Sequence, residues 1–237
     1  MTKLADAVVK HVRGAVASGA MAPNKWYSVA QLADDLGMSR SPVREGLLRL
    51  EEAGLVRFVK NRGFIVIENG PRDVAEIFSV RLGIEPAAAY RAALLRKPED
   101  LAAAYKIMGE MRMHAERGSV DEFFAQDRAL HSLIFDMSSS KFGKTVVQRL
   151  RDVTAILGHS TAGASRSTFD ILGEHGPIIA AIEEKDPDAA RDHMARHLVI
   201  TGKLLIKQAV KMEGREDGVA ERETDLLWRQ YLGGSAE

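Results

Sequence analysis

The 237 residues carry 33 Lys and Arg against 33 Asp and Glu, are 46% hydrophobic and include no cysteine. That composition supports one or two real cores and excludes a disordered tail protein, a collagen-like repeat and a disulfide-stapled module. The lack of cysteine also removes thiolate zinc sites, iron–sulfur clusters and cysteine nucleophiles. Zero net charge hides an asymmetry. Residues 1–70 hold ten Lys and Arg against seven Asp and Glu, and the rest 23 against 26, a basic front before an acidic back. Met1 to Ala20 lacks the apolar run of a signal peptide, and no segment reaches the roughly eighteen apolar residues that cross a bilayer. The expectation is a cytoplasmic chain with no membrane partner.

Leu4, Ala5, Val8, Val9, Val12 and Val16 give helical spacing, ended by Gly19 and the stretch Met21-Ala22-Pro23-Asn24. Ser28 is placed to cap a short helix from Val29 to Leu36, stopped by Gly37. Ser39 opens the next, which carries Val43, Leu47, Leu48 and Leu50 and ends near Gly54. Leu55 to Val59 and Phe64 to Ile67 are rich in β-formers and flank Lys60-Asn61-Arg62-Gly63, which suits a hairpin loop. Three helices and a hairpin predict a winged helix-turn-helix over residues 1–70.

Gly70-Pro71 marks a boundary, since Pro stops a strand and opens a helix. Punctuation at Lys97-Pro98, Gly118-Ser119, Ser138-Ser139-Ser140, Gly163-Ala164-Ser165 and Asp186-Pro187 divides the rest of the chain into helices near 72–96, 98–117, 119–137, 141–162, 168–185 and 187–212. The fold class is therefore mainly α: the winged head, then an all-α antiparallel bundle of six to seven helices over 71–212, able to hold a ligand. Residues 213–237 form a charged tail. In it Ala220 to Leu232 can make a further short helix, whose Leu227, Trp228 and Tyr231 would extend a dimer interface.

The stretch from Gly37 to Glu45 has the character of a recognition helix, with small polar residues and arginines in its first turn. An Arg fork fits guanine O6 and N7, so Arg40, Arg44 and Arg49 are candidate base or backbone readers. Ser39 and Ser41 suit phosphate, and Arg62 and Gly63 lie at the wing tip. The competing assignment makes the arginines a solvated face paired with Glu45, Glu51 or Glu52. Residues 28–67 resemble the DNA-binding domain of GntR-family bacterial transcription regulators. The match runs through Leu32-Ala33, Leu36-Gly37, Ser39-Arg40, Pro42-Val43-Arg44-Glu45, Leu47, Leu50, Gly54-Leu55-Val56 and Asn61-Arg62-Gly63. The chain departs from that pattern at Asn24, where Gly is frequent, and at Val29-Ala30, where Glu-Arg is common.

In the bundle, Asp127 and His131 lie four apart and share a helix face. His175 and His197 come on later helices. One carboxylate and three imidazoles from three helices suit a divalent transition metal such as Zn, Ni or Mn. His193 and His197 form a rival pair at the same spacing, and Glu174 stands beside His175. Residues 72–212 resemble the FCD ligand-binding domain of the FadR subfamily of GntR regulators, through Arg81 with Glu85, Asp127 with His131, Glu174-His175, and Ala190 to Leu198. That resemblance implies Asp127, His131, His175 and His197 as the metal ligands, leaving His193 and His159 elsewhere. Ser138-Ser139-Ser140 stands where that family often has Asn. Arg81 and Arg149 are candidate clamps for an effector carboxylate, although Arg81 equally suits an ion pair with Glu85.

The resulting expectation is a homodimeric transcription factor on a pseudo-palindromic operator, controlled by a small organic acid at the metal. The alternative is a metal-dependent enzyme acting on small organic acids.

Overall fold

The computed structural model describes residues 3–60, 62–68, 70–156 and 166–233. The chain separates into two compact units, with a break between Gly70 and Pro71. Among the described residues there are ten helices and one small sheet, the mainly α architecture expected.

The first unit contains α1 (Lys3–Ala17), β1 (Trp26–Tyr27), α2 (Val29–Asp35), α3 (Arg40–Glu52), β2 (Val56–Val59) and β3 (Gly63–Val66). The Ser28 hydroxyl accepts from the N–H groups of Ala30 and Gln31 and so starts α2. Gly37, at φ +62°, ends it: its own N–H reaches Asp34 O, and Met38 N–H reaches Ala33 O at 2.9 Å. The apolar positions read from the sequence meet in one core of Val8, Val12, Leu32, Val43, Leu47, Leu50, Leu55, Val56 and Phe64. Gly46 lets α1 approach α3, since a Cβ there would lie 2.7 Å from that of Val8.

The predicted hairpin is β2 and β3, paired from Val56 opposite Val66 to Val59 opposite Gly63. A strand with no counterpart in the sequence reading, β1, adds to its other edge, with Trp26 opposite Ile65 and Tyr27 opposite Phe64. Two residues are too few to show alternation, so no period could announce it. Asn24, just before it, sits at φ +61°. Asn is among the few side chains that tolerate that region, which explains how it stands where Gly is frequent.

The second unit holds α4 (Pro71–Leu95), α5 (Pro98–Glu116), α6 (Val120–Met137), α7 (Lys141–Ile156, in this unit up to Arg151), α8 (Thr168–Glu184), α9 (Pro187–Met212) and α10 (Asp217–Leu232). The continuation of α7 to 162 lies outside the described residues. Ser167 and Asp170 form a capping box at the start of α8, and Asp186 caps α9 ahead of Pro187. The longest helices, α4 and α9, pack together. At Gly202 of α9 a Cβ would come within 2.8 Å of both the Phe78 and the Trp228 rings. Trp228 and Leu227 are thus buried by α10 against α4 and α9 of the same chain. That corrects the expectation that this face extends a dimer interface, because the apolar side is already covered. None of the described helices is long and apolar enough to cross a membrane.

Candidate metal centre and nucleic-acid interface

Each helix of the second unit turns one apolar stripe inward, and polar side chains within those stripes are carried into the interior. On α6 the buried set includes Phe123, Asp127, Leu130, His131 and Ile134; on α8 it includes Ile171, His175, Ile178 and Ile182; on α9 it includes Met194, His197 and Leu198. Four-residue spacing therefore brings Asp127, His131, His175 and His197 into the core. One ligating atom from each of the three histidines lies within 4.8 Å of the other two. Asp127 Oδ1 is 3.1 Å from His175 Nε2. His193 is half-buried and outside this group; His159 lies outside the described residues.

What surrounds the imidazoles fixes their protons. His131 Nδ1 donates to Glu85 Oε2 at 2.5 Å, His175 Nδ1 to the Ile171 carbonyl at 2.8 Å, and His197 Nδ1 to Glu174 Oε2 at 2.8 Å. With each Nδ1 protonated, a neutral ring has only a lone pair on Nε2. His131 Nε2 and His175 Nε2 are nonetheless 3.3 Å apart, beside the Asp127 oxygen. Acceptors facing one another without a proton between them form a donor set made for a cation, and the outer partners are those that orient metal-bound histidines.

Burial, with Arg151 nearby, pushes His131 down to about 3. Burial and the His175 ring hold His197 well below the usual imidazole range. Both rings are neutral near pH 7, as metal ligation requires. Burial works against ionisation of Asp127 and Glu85, but neighbouring charges outweigh it. The Arg151 guanidinium holds Asp127 well below its ordinary value. Arg81 and His131 do the same for Glu85.

The structure places the predicted effector arginines differently. Arg81 is buried, its Nε 2.6 Å from Glu85 Oε1, so it meets the cluster through that carboxylate. Arg149 is exposed on α7. Two positions on, Arg151 shares a face with buried Val147 and bonds Asp127 Oδ2. The inward side of α7 runs through 147 and 151, an i,i+4 step, and Arg149 lies off that side. Glu174, a neighbour of His175 in sequence, holds His197 instead and is itself paired with Arg166. Nothing in its spacing distinguished it from a surface carboxylate.

In the first unit, Ser39, Arg40, Ser41 and Arg44 are exposed at the start of α3, and the Ser39 hydroxyl makes no cap bond. Arg62 is exposed at the wing, its guanidinium 5.6 Å from the Trp26 ring centre. These side chains and the helix N-terminus can meet phosphates and base edges. Two of the predicted readers also have structural work. Arg49 bonds Asp6 at 2.7 Å and Glu45 at 2.5 Å, tying α3 to α1. Gly63, at φ +104°, lies so close to Tyr27 that a Cβ would sit 2.1 Å from its carbonyl oxygen.

Known families match both units of the chain. The pattern of "Bacterial regulatory proteins, gntR family" matches residues 4–66, and that of the FCD domain matches residues 76–199. An HTH-type transcriptional regulator from the TAR-I ttuE-ttuC' intergenic region of Agrobacterium vitis is 32% identical over 126 residues, 52% of this chain and 74% of that one. The HTH-type transcriptional repressor RspR of Escherichia coli (strain K12) is 25% identical over 178 residues, 75% and 78% of the two chains. The solved structure of E. coli McbR/YncC shares the fold, with a TM-score of 0.66 at 24% identity over 88% of this chain and 99% of that one. The chain belongs to the GntR family of DNA-binding bacterial transcription regulators and carries an FCD domain behind its winged helix-turn-helix.

Proposed function

We propose that this regulator senses a small carboxylic acid through a divalent transition metal, Zn, Ni or Mn, held by Asp127, His131, His175 and His197. The observation that carries this reading is the acceptor-only pocket, in which imidazole nitrogens meet at 3.3 Å while every Nδ1 has its own partner. The bound ion would supply a Lewis-acidic centre for a carboxylate and an adjacent hydroxyl or keto oxygen. Glu85 and Glu174 keep two of the rings in their ligating tautomer, and the Arg81 and Arg151 guanidinium groups, each paired with a carboxylate of the cluster, stand close by.

The first unit reads operator DNA through Ser39, Arg40, Ser41, Arg44 and the Arg62 wing. Two copies of the chain, as a homodimer in the cytoplasm, engage the half-sites of a pseudo-palindrome. Effector binding favours one packing of the bundle and so changes operator affinity. A family of transcription regulators sets aside the metal-dependent enzyme. Metal analysis of the purified protein tests the centre: His175→Ala and His197→Ala empty it and abolish acid-induced thermal stabilisation, whereas His193→Ala retains both. An empty site in His193→Ala with a full one in His197→Ala would move the centre to the other member of the pair.

A further inference from the structure

The charged side chains around the three histidines balance. Arg81 is paired with Glu85, Arg151 with Asp127, and Arg166 with Glu174, and these side chains are between 1% and 18% exposed. Three cations and three carboxylates therefore cancel, and ligating imidazoles are neutral. A divalent ion adds two positive charges to a region shut off from water, where unmatched charge is costly. An acid with one carboxylate leaves one of them uncompensated. An acid with two restores the balance.

The second carboxylate also has a place to bind. Arg81 Nε is engaged by Glu85 Oε1, and Arg166 donates to Glu174 and to Thr201 Oγ1. Arg151 uses Nη2 on Asp127, but its Nε is buried with no acceptor among the described residues. A buried donor left open is destabilising unless a ligand fills it. A site with such a donor discriminates strongly against a ligand that lacks the matching acceptor.

We propose that the effector is a dianion, a small dicarboxylate, and that Arg151 is the residue that selects it by binding the carboxylate remote from the metal. The inference rests on the metal-and-acid reading above.

Calorimetric titration and thermal shift of the full-length, Zn-loaded protein test it. The probes are short 2-hydroxy dicarboxylates, malate among them, each beside the 2-hydroxy monocarboxylate of equal chain length. The best diacid binds at least about tenfold more tightly than its monoacid counterpart, and Arg151→Gln shrinks that ratio to about threefold or less. Monoacids that bind as tightly as diacids overturn the dianion inference while leaving the metal-and-acid reading intact. A tenfold preference that survives Arg151→Gln overturns the role of Arg151. A protein that takes up no Zn and answers no acid overturns both readings. Should Arg151→Gln fail to fold, the ratio measured on the parent protein still decides the effector's charge.

Discussion

Arg44 and Arg49 stand on the same helix with different work. Arg44 is exposed, 6.0 Å from the Phe58 ring centre, whereas Arg49 is ion-paired to Asp6 and Glu45. Arg44→Ala is expected to weaken specific operator binding by about 1–3 kcal/mol at matched salt, by fluorescence anisotropy. Arg49→Ala, whose partners are largely solvated, changes fold stability by at most about 1 kcal/mol. Equal operator binding by parent and Arg44→Ala would remove α3 as the reading element.

The buried cluster sets the response to acid. His131 and His197 titrate below their ordinary range in the folded chain, as do Asp127 and Glu85. For all four, the unfolded chain takes up protons first, so lowering the pH favours unfolding. The loss begins as pH falls through the ordinary imidazole value of 6.5; His131 alone accounts for about 2 kcal/mol by pH 5. Below the ordinary carboxylate range Glu85 and Asp127 add to it. Urea denaturation of chelated protein therefore shows a lower midpoint near pH 5 than near pH 7, and a flat profile would show that the imidazoles are not held neutral. The sequence displayed Asp127 and His131 through their spacing. It could not display Glu174, because a carboxylate that orients a histidine from another helix leaves no local period. Arg151 lay one helical turn from Val147, but its inward face is evident only once Val147 is known to be buried.

At the scale of elements, helices were the legible part, since caps, Pro-initiated starts and apolar stripes recur over long segments. The two-residue β1 was not, and it gives Gly63 its constraint. Gly63→Ala is expected to destabilise the head by at least about 2 kcal/mol, because the added Cβ collides with the Tyr27 carbonyl at an unfavourable φ. Thermal denaturation of the variant without DNA checks this. An unchanged midpoint would return Gly63 to the role of a wing-tip contact alone. The apolar face of α10 is legible in Leu227, Trp228 and Tyr231, but its partner is not: sequence shows that a face must be covered, never by what.

For the whole molecule, the covering of Phe78 by Gly202 and Trp228 makes α10 part of the second unit's core. Truncation after Met212 is expected to cost about 3–5 kcal/mol, through loss of the buried Leu227 and Trp228, measured by urea denaturation. Unchanged stability would mean that α10 does not dock. The pairing of α4 with α9 also imposes an order on biosynthesis. Among the described residues the buried core of the head is drawn from positions 8–64, so that core can form while the ribosome is still translating. Phe78 emerges next, long before Gly202 and Trp228. At bacterial rates of about 5–20 residues per second, the nascent α4 waits on the order of ten seconds with its apolar side uncovered. Over that interval the chain is exposed to chaperones and proteases, and closure of the second unit is a late event in its synthesis.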